Sequence, residues 1–206
     1  MKHLRVHSEN PQLRLINQAV GIIRAGGVVV YPTDSCYALG CGIGNKSAMD
    51  RIRRIRDLDE HHNFTLICRD LSELATYAKV DNHVFRRLKS LTPGPYTFIL
   101  EASREVPRRL QHPKRKSIGL RVPEHPIAQM LLSVLDEPMM SVTLILPGDD
   151  EPLTDPDEMV VQLGKRVDLL IDGGWGGYEP STVVDLTGDM PVVVRRGVGD
   201  PAAIEG

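Results

Sequence analysis

Val28-Val29-Val30-Tyr31-Pro32-Thr33-Asp34-Ser35-Cys36-Tyr37-Ala38-Leu39-Gly40 is the stretch on which the fold turns. Its first four residues form a β-branched run stopped by Pro32, which reads as a short buried strand. Upstream, Leu13, Ile16, Val20 and Ile23 recur at helical spacing and define one apolar face. A helix is therefore expected over Pro11–Ala25, capped by Asn10, with Pro11 in its first turn and Gly26-Gly27 closing it. A helix delivering the chain into a buried strand is the unit of an α/β sheet.

Working outward, the same alternation continues. A second helix capped near Asn45 puts Met49, Ile52 and Ile55 inward. Phe64–Cys68 is strand-like, Ser72–Ala78 and Asn82–Leu91 are helical, and Thr92-Pro93-Gly94-Pro95 forces a turn. Tyr96–Glu101 and Ser117–Val122 read as strands. Pro126 starts a helix with Ile127, Met130, Leu131 and Val134 on its apolar side. Met139–Leu146 is a strand, Asp155-Pro156 opens a helix, and Val167–Ile171, Thr182–Asp185 and Val192–Arg195 complete the strands. Strands adjacent in sequence without an intervening helix call for a mixed sheet rather than an all-parallel one.

The 206 residues are enough for one domain whose core stands without disulfides, and no linker marks a second. The expected fold class is a single-domain twisted mixed α/β sheet with flanking helices. Cys36, Cys41 and Cys68 form no C-x-x-C pair, which disfavours a disulfide framework or zinc site. His61-His62 are neighbours and point to different sides of any regular element, so no metal site is expected. The first residues lack a signal-peptide core and no apolar run reaches the length of a membrane span, so a cytoplasmic protein without a membrane partner is expected.

The formal charge of −2 conceals a segregation. Lys46–Arg121 holds 17 Lys and Arg against 9 Asp and Glu, and the remainder holds 8 against 18. Such asymmetry fits either an anionic partner, nucleic acid above all, or separate solvated faces. Arg51, Arg53, Arg54 and Arg56 crowd one helix. Arg108, Arg109, Lys114, Arg115 and Lys116 sit in a Pro-punctuated stretch. Aromatics are scarce in both segments, so backbone recognition of duplex or folded RNA fits better than base stacking there. Pairing of these arginines with Asp149-Asp150-Glu151 is the plain alternative.

Among the commoner signatures, G-x-G-x-x-G, G-x-x-x-x-G-K-[ST], H-E-x-x-H and G-x-S-x-G are all missing. Tyr31-Pro32-Thr33-Asp34-Ser35-Cys36-Tyr37 instead places hydroxyls and a carboxylate just past a strand end, where α/β sheets keep ligands. Thr33 and Ser35 can hydrogen-bond a ligand with Asp34 orienting them, or the segment can be an ordinary Pro-Thr-Asp turn. Cys36 reads as a half-buried structural thiol. Gly173-Gly174-Trp175-Gly176-Gly177 is the one glycine cluster.

Tyr31–Gly40, Thr92–Phe98, Ser117–Pro123, Pro180–Asp185 and Arg195-Arg196-Gly197 together resemble the YrdC-like family in order and spacing, across nearly the whole chain. Asn63-Phe64-Thr65-Leu66-Ile67-Cys68-Arg69-Asp70-Leu71-Ser72-Glu73-Leu74 is similar to its YciO branch. The resemblance implies a concave basic surface, association with double-stranded RNA or tRNA, and kinship with synthases of L-threonylcarbamoyl-AMP from L-threonine, bicarbonate and ATP. By family position, Thr33, Arg121 and Ser181 fall in an amino-acid subsite, and Ser117 and Arg195 near a nucleotide. ATP with Mg²⁺ is the implied ligand, with no tightly bound cofactor.

The chain departs from the active synthases where they carry a Lys-x-Arg and a Ser-x-Asn pair. Arg56 and Leu58, then Thr143 and Ile145, stand at those places. Arg56 and Thr143 keep a cation and a hydroxyl and are the candidate catalytic residues; Leu58 and Ile145 replace a cation and an amide by hydrocarbon. A phosphate site losing one donor forfeits a factor of about 10² in rate. The expectation is an RNA- and nucleotide-binding relative with weak synthase activity. The alternatives are an active synthase using Arg56 and Thr143, or a site diverted to another small carboxylate.

Overall fold

A computed structural model of the chain describes residues 1–59, 62 and 64–205, and places ten strands in one mixed sheet. The strands are β1 (Lys2–Arg5), β2 (Val29–Tyr31), β3 (Ala38–Gly42), β4 (Thr65–Ile67), β5 (Tyr96–Glu101), β6 (Ser117–Arg121), β7 (Met139–Thr143), β8 (Leu169–Asp172), β9 (Thr182–Asp185) and β10 (Val192–Arg195). They lie side by side in the order β1-β8-β2-β3-β7-β4-β6-β5-β9-β10. β1 and β2 flank β8 in parallel, β4 runs parallel to β6 and β5 to β9, and the remaining neighbours are antiparallel.

Among the described residues seven α-helices flank the sheet: α1 (Leu13–Arg24), α2 (Lys46–Arg56), α3 (Leu71–Tyr77), α4 (Asn82–Leu91), α5 (Pro126–Leu135), α6 (Pro156–Leu163) and α7 (Ala202–Glu205). One face is covered along its length. There Leu66, Phe98, Leu100, Leu120, Met140 and Val184 join Ile52 of α2, Leu74 of α3, Leu88 of α4, Met159 of α6 and Ile204 of α7. On the other face, α1 and α5 cover only the β1-to-β7 side, packing Ile16, Val20, Ile23, Leu131 and Leu135 on Val29, Tyr31, Met139, Leu169 and Ile171. Beyond β4, where Ile67 still joins that cluster, the rest of the face towards β10 carries no helix among the described residues, and the site opens there.

Several elements differ from the sequence expectation, among them β1, β3 and α7, which it did not include. α1 begins at Leu13, not Pro11, and Gln12 is its N-cap without a side-chain bond. Asn10 instead belongs to the preceding turn, where its backbone N–H and that of Glu9 donate to His7 Nδ1. On α5 the buried residues are Ile127, Ala128, Leu131, Leu132 and Leu135, while Met130 and Val134 are partly buried, because the helix meets α1 as well as the sheet. The strand after Met139 stops at Thr143. Asn45, Asp155 and the Pro126 start fall as expected, Asn45 accepting from Ala48 N at 2.9 Å. Asn63 and His61 lie outside the described residues.

His125 is the N-cap of α5, its Nδ1 accepting from Ile127 N at 3.2 Å. Burial pulls its pKa below the usual 6.5, against an opposing pull from Asp34. The folded form thus favours neutral imidazole, so this stabilisation is complete above the unfolded pKa of 6.5 and fades as pH falls below it. Urea midpoints measured on either side of pH 6.5 should fall with acidification, and His125→Asn, which keeps an accepting cap, should flatten that decline. An equal decline in the variant would exclude His125 as its source.

Candidate active site

Residues alternate across a strand, and on β4 to β9 the two faces carry different chemistry. Thr65 and Ile67 of β4, Thr97 and Ile99 of β5, Ser117, Gly119 and Arg121 of β6, Ser141 and Thr143 of β7, and Val183 of β9 face away from the core. With Thr33, Ser35, Cys36, Tyr37, His62, Phe64, Ser181 and Arg195 they enclose a cavity of about 190 Å³. Gly119 keeps its floor low, since a Cβ there would stand 3.0 Å from Thr65 Oγ1. Two arginines and no carboxylate line it among the described residues, which suits an anion.

Arg121 is buried at the end of β6, with Nη1 donating to Ser35 Oγ at 3.0 Å and Nη2 paired with Asp34 Oδ1. Arg121 Nε and Asp34 Oδ2 are buried without a partner among the described residues. Ser181 bonds Thr97 Oγ1 at 2.8 Å, and its carbonyl accepts from Arg195 Nη2 at 2.8 Å. Desolvation, then repulsion from Arg121, lowers the pKa of the Arg195 guanidinium against an opposing pull from Cys36. Thr33 serves the turn as well as the wall: its hydroxyl donates to Cys36 O at 2.7 Å and accepts from Ser35 N at 3.2 Å. The Pro-Thr-Asp segment is therefore a turn, and the turn positions Ser35 against Arg121. Cys36 is fully buried rather than half-buried, and burial raises its thiol pKa, so it stays protonated at neutral pH.

Every substrate- and nucleotide-site residue expected from the sequence, Thr33, Arg121, Ser181, Ser117 and Arg195, lines this one cavity, as does Thr143. Arg56 does not line it, but it acts on His62, which does, lowering that pKa after the larger effect of burial. Arg56 Nε is itself buried without a partner among the described residues. Leu58 packs against the core below α2 and is absent from the described cavity wall, as is Ile145. Tyr31, which opens the segment singled out in the sequence, has its hydroxyl 2.6 Å from Ser141 Oγ, whereas sequence reasoning missed the Ser141 and Thr97 hydroxyls. The signal for both was a Ser or Thr at alternate positions in an otherwise apolar strand.

The basic segments divide. Arg51 pairs with Asp168 at 2.7 Å, Arg53 with Asp50 at 3.3 Å and over the Phe64 ring, and Arg115 with Asp185 at 3.7 Å. Arg54 donates to Asp50 O and Arg109 to the carbonyls of Ile43 and Gly44. Arg108, Lys114 and Lys116 are exposed without an ion pair among the described residues. Among the described residues the acidic partners of these segments are Asp50, Asp168 and Asp185, not the 149–151 loop. No helix among the described residues is long and apolar enough to cross a membrane, and no three His, Cys, Asp or Glu among them could hold a metal ion.

The Sua5/YciO/YrdC family model, described as telomere recombination, matches residues 21–197. The chain belongs to this family. It is 63% identical over 195 residues to the protein YciO of Escherichia coli, covering 95% of each chain. The crystal structure of E. coli YciO superposes with a TM-score of 0.95 at 60% identity, over 99% of this chain and 100% of that one. A threonylcarbamoyl-AMP synthase of Coxiella burnetii is 29% identical over 180 residues, 85% of this chain and 95% of its own. The Sua5 of P. abyssi, crystallised with L-threonine, superposes at a TM-score of 0.86 with 28% identity, over 96% of this chain and 58% of its own. The chain is thus a YciO-type member of the Sua5/YciO/YrdC family and a relative of threonylcarbamoyl-AMP synthases.

Proposed function

We propose that the cavity holds a small hydroxy-amino acid of the threonine type beside the phosphates of a nucleotide, with weak synthase chemistry, and that RNA contacts the basic surface. The observation that carries the reading is the convergence of Arg121, Ser35, Thr33, Ser181 and Arg195 on one cavity lined, among the described residues, by no carboxylate. A relative named as a synthase and one crystallised with L-threonine add to it. Arg121, held on Ser35 and Asp34, supplies a fixed cation for a carboxylate, and Arg195 with Ser117 offers charge and a hydroxyl to phosphate. Mg²⁺ enters with the nucleotide as part of the substrate. Leu58 and Ile145 leave the phosphate side short of donors, which is why slow turnover is proposed.

ATP with L-threonine should raise the melting temperature, since a ligand at 100 times its Kd stabilises by about 2.7 kcal/mol. Pyrophosphate release requiring threonine, bicarbonate and ATP together should remain near background. No thermal shift with either ligand would end the reading. Rapid release would instead favour the active synthase, a reading that draws on Thr143 in the cavity wall and Arg56 beside His62.

For RNA, Arg108, Lys114 and Lys116 are the free cations on which the proposal rests. Three phosphates neutralised on a duplex give log Kd against log salt a slope of about 3. Replacing all three by Gln should flatten it, measured by mobility shift with tRNA and duplex RNA. Binding indifferent to salt would refute this part.

A further inference from the structure

The glycine-rich loop after β8 has not been given a role by the site above. It runs from Gly173 to Ser181, a residue of the cavity wall, and lies directly on two others. A Cβ at Gly176 would strike the Tyr37 ring at 2.6 Å, and one at Gly177 would strike Ser35 O at 1.9 Å. Tyr37 Oη donates to Gly174 O at 2.6 Å, Gly173 N donates to Tyr37 Oη at 3.0 Å, and Gly176 N donates to Thr154 O at 2.9 Å. The backbone is therefore fixed on both sides of Trp175.

The side chains it carries do the opposite of packing. Trp175 is 72% exposed and Tyr178 is 61% exposed. A large ring left in water on an anchored backbone contributes little to the fold and leaves its face open to a flat partner. Ser35, which the loop backbone touches, bonds Arg121, so the loop borders the cationic wall of the cavity.

We propose that Trp175 and Tyr178 form a stacking platform for a nucleobase at the margin of the cavity. Two sources supply that chemistry: the base of a nucleotide whose phosphates enter the cavity, which rests on the function proposed above, or an unpaired base of an RNA strand. The rings lie outside the basic segments, where the shortage of aromatics argued against stacking.

Trp175 is the single tryptophan of the chain, so its fluorescence reports on this loop alone. The whole protein is titrated with ATP, AMP, tripolyphosphate, a single-stranded oligoadenylate and a blunt RNA duplex, and binding is measured in parallel by calorimetry. Quenching by AMP and ATP but not tripolyphosphate assigns the platform to the nucleotide. Quenching by oligoadenylate but by neither nucleotide nor duplex assigns it to RNA. In either case Trp175→Ala should weaken that ligand about tenfold, with Trp175→Phe largely restoring it. Calorimetric binding with unchanged fluorescence and unchanged affinity in Trp175→Ala overturns the platform while leaving the cavity reading intact. No binding of any probe overturns both.

Discussion

Arg121→Met is expected to lower the free energy of unfolding by about 3 kcal/mol, read from urea denaturation, and to abolish any thermal shift by L-threonine. The guanidinium side chain is 9% exposed and its partner Asp34 11%. Removing the cation leaves a carboxylate that already has one oxygen, Oδ2, buried without a partner among the described residues. Attraction between the two is worth little net, because both were desolvated to make it; the cost appears when one is left alone. Arg121→Met combined with Asp34→Asn should therefore recover most of the stability but none of the ligand binding. Arg121→Lys should recover less than the double variant, since a single ammonium cannot serve both Ser35 and Asp34 with fork geometry. A single-variant loss below about 1 kcal/mol would mean that the pair is solvated and that Arg121 does not organise the turn.

How far the molecule could be read in advance depended on whether a segment's signal was local. Asn82–Leu91, Tyr96–Glu101, Thr182–Asp185 and Val192–Arg195 lie where the periodicity puts them, because each carries its own turn or cap residues. β1 was not legible: Lys2-His3-Leu4-Arg5 is a charged strand at the sheet edge, defined only by its parallel pairing with β8, some 165 residues away. β3 was hidden differently. Ala38-Leu39-Gly40-Cys41-Gly42 has poor strand propensity, yet all five are buried between β2 and β7. Gly40 is needed there because a Cβ would meet the Met139 methyl at 2.7 Å and the Tyr31 ring at 2.9 Å. In the site, the motif residues, Ser117 among them, were legible by resemblance, while the roles of Thr97 and Ser141 in the wall needed the sheet order that brings β5, β6 and β7 to one face.

Leu58→Arg with Ile145→Asn is expected to raise pyrophosphate release in the presence of threonine, bicarbonate and ATP by about 10², the effect of restoring a donor to a phosphate site. Ile145 follows, two residues on, Thr143 of the cavity wall, and Leu58 follows Arg56, which stands outside the wall but acts electrostatically on the wall residue His62. Leu58 is half-buried against the core, so a long arginine can keep its stem on the apolar surface and carry its head outward. A stability loss of about 1 kcal/mol is expected from this change and should be checked first. Ile145 is also half-buried, its backbone N donating to Thr143 O at 3.1 Å, and that bond does not depend on the side chain. Each single variant should gain less than the pair, because a transferring phosphoryl group is stabilised by donors acting together. A double variant that melts near the parent yet stays silent would show that Leu58 and Ile145 are not what holds the chemistry back. The difference would then lie elsewhere in the cavity, with Arg56 in place of lysine the first position to change, since the guanidinium keeps the charge but not the reach of a single ammonium.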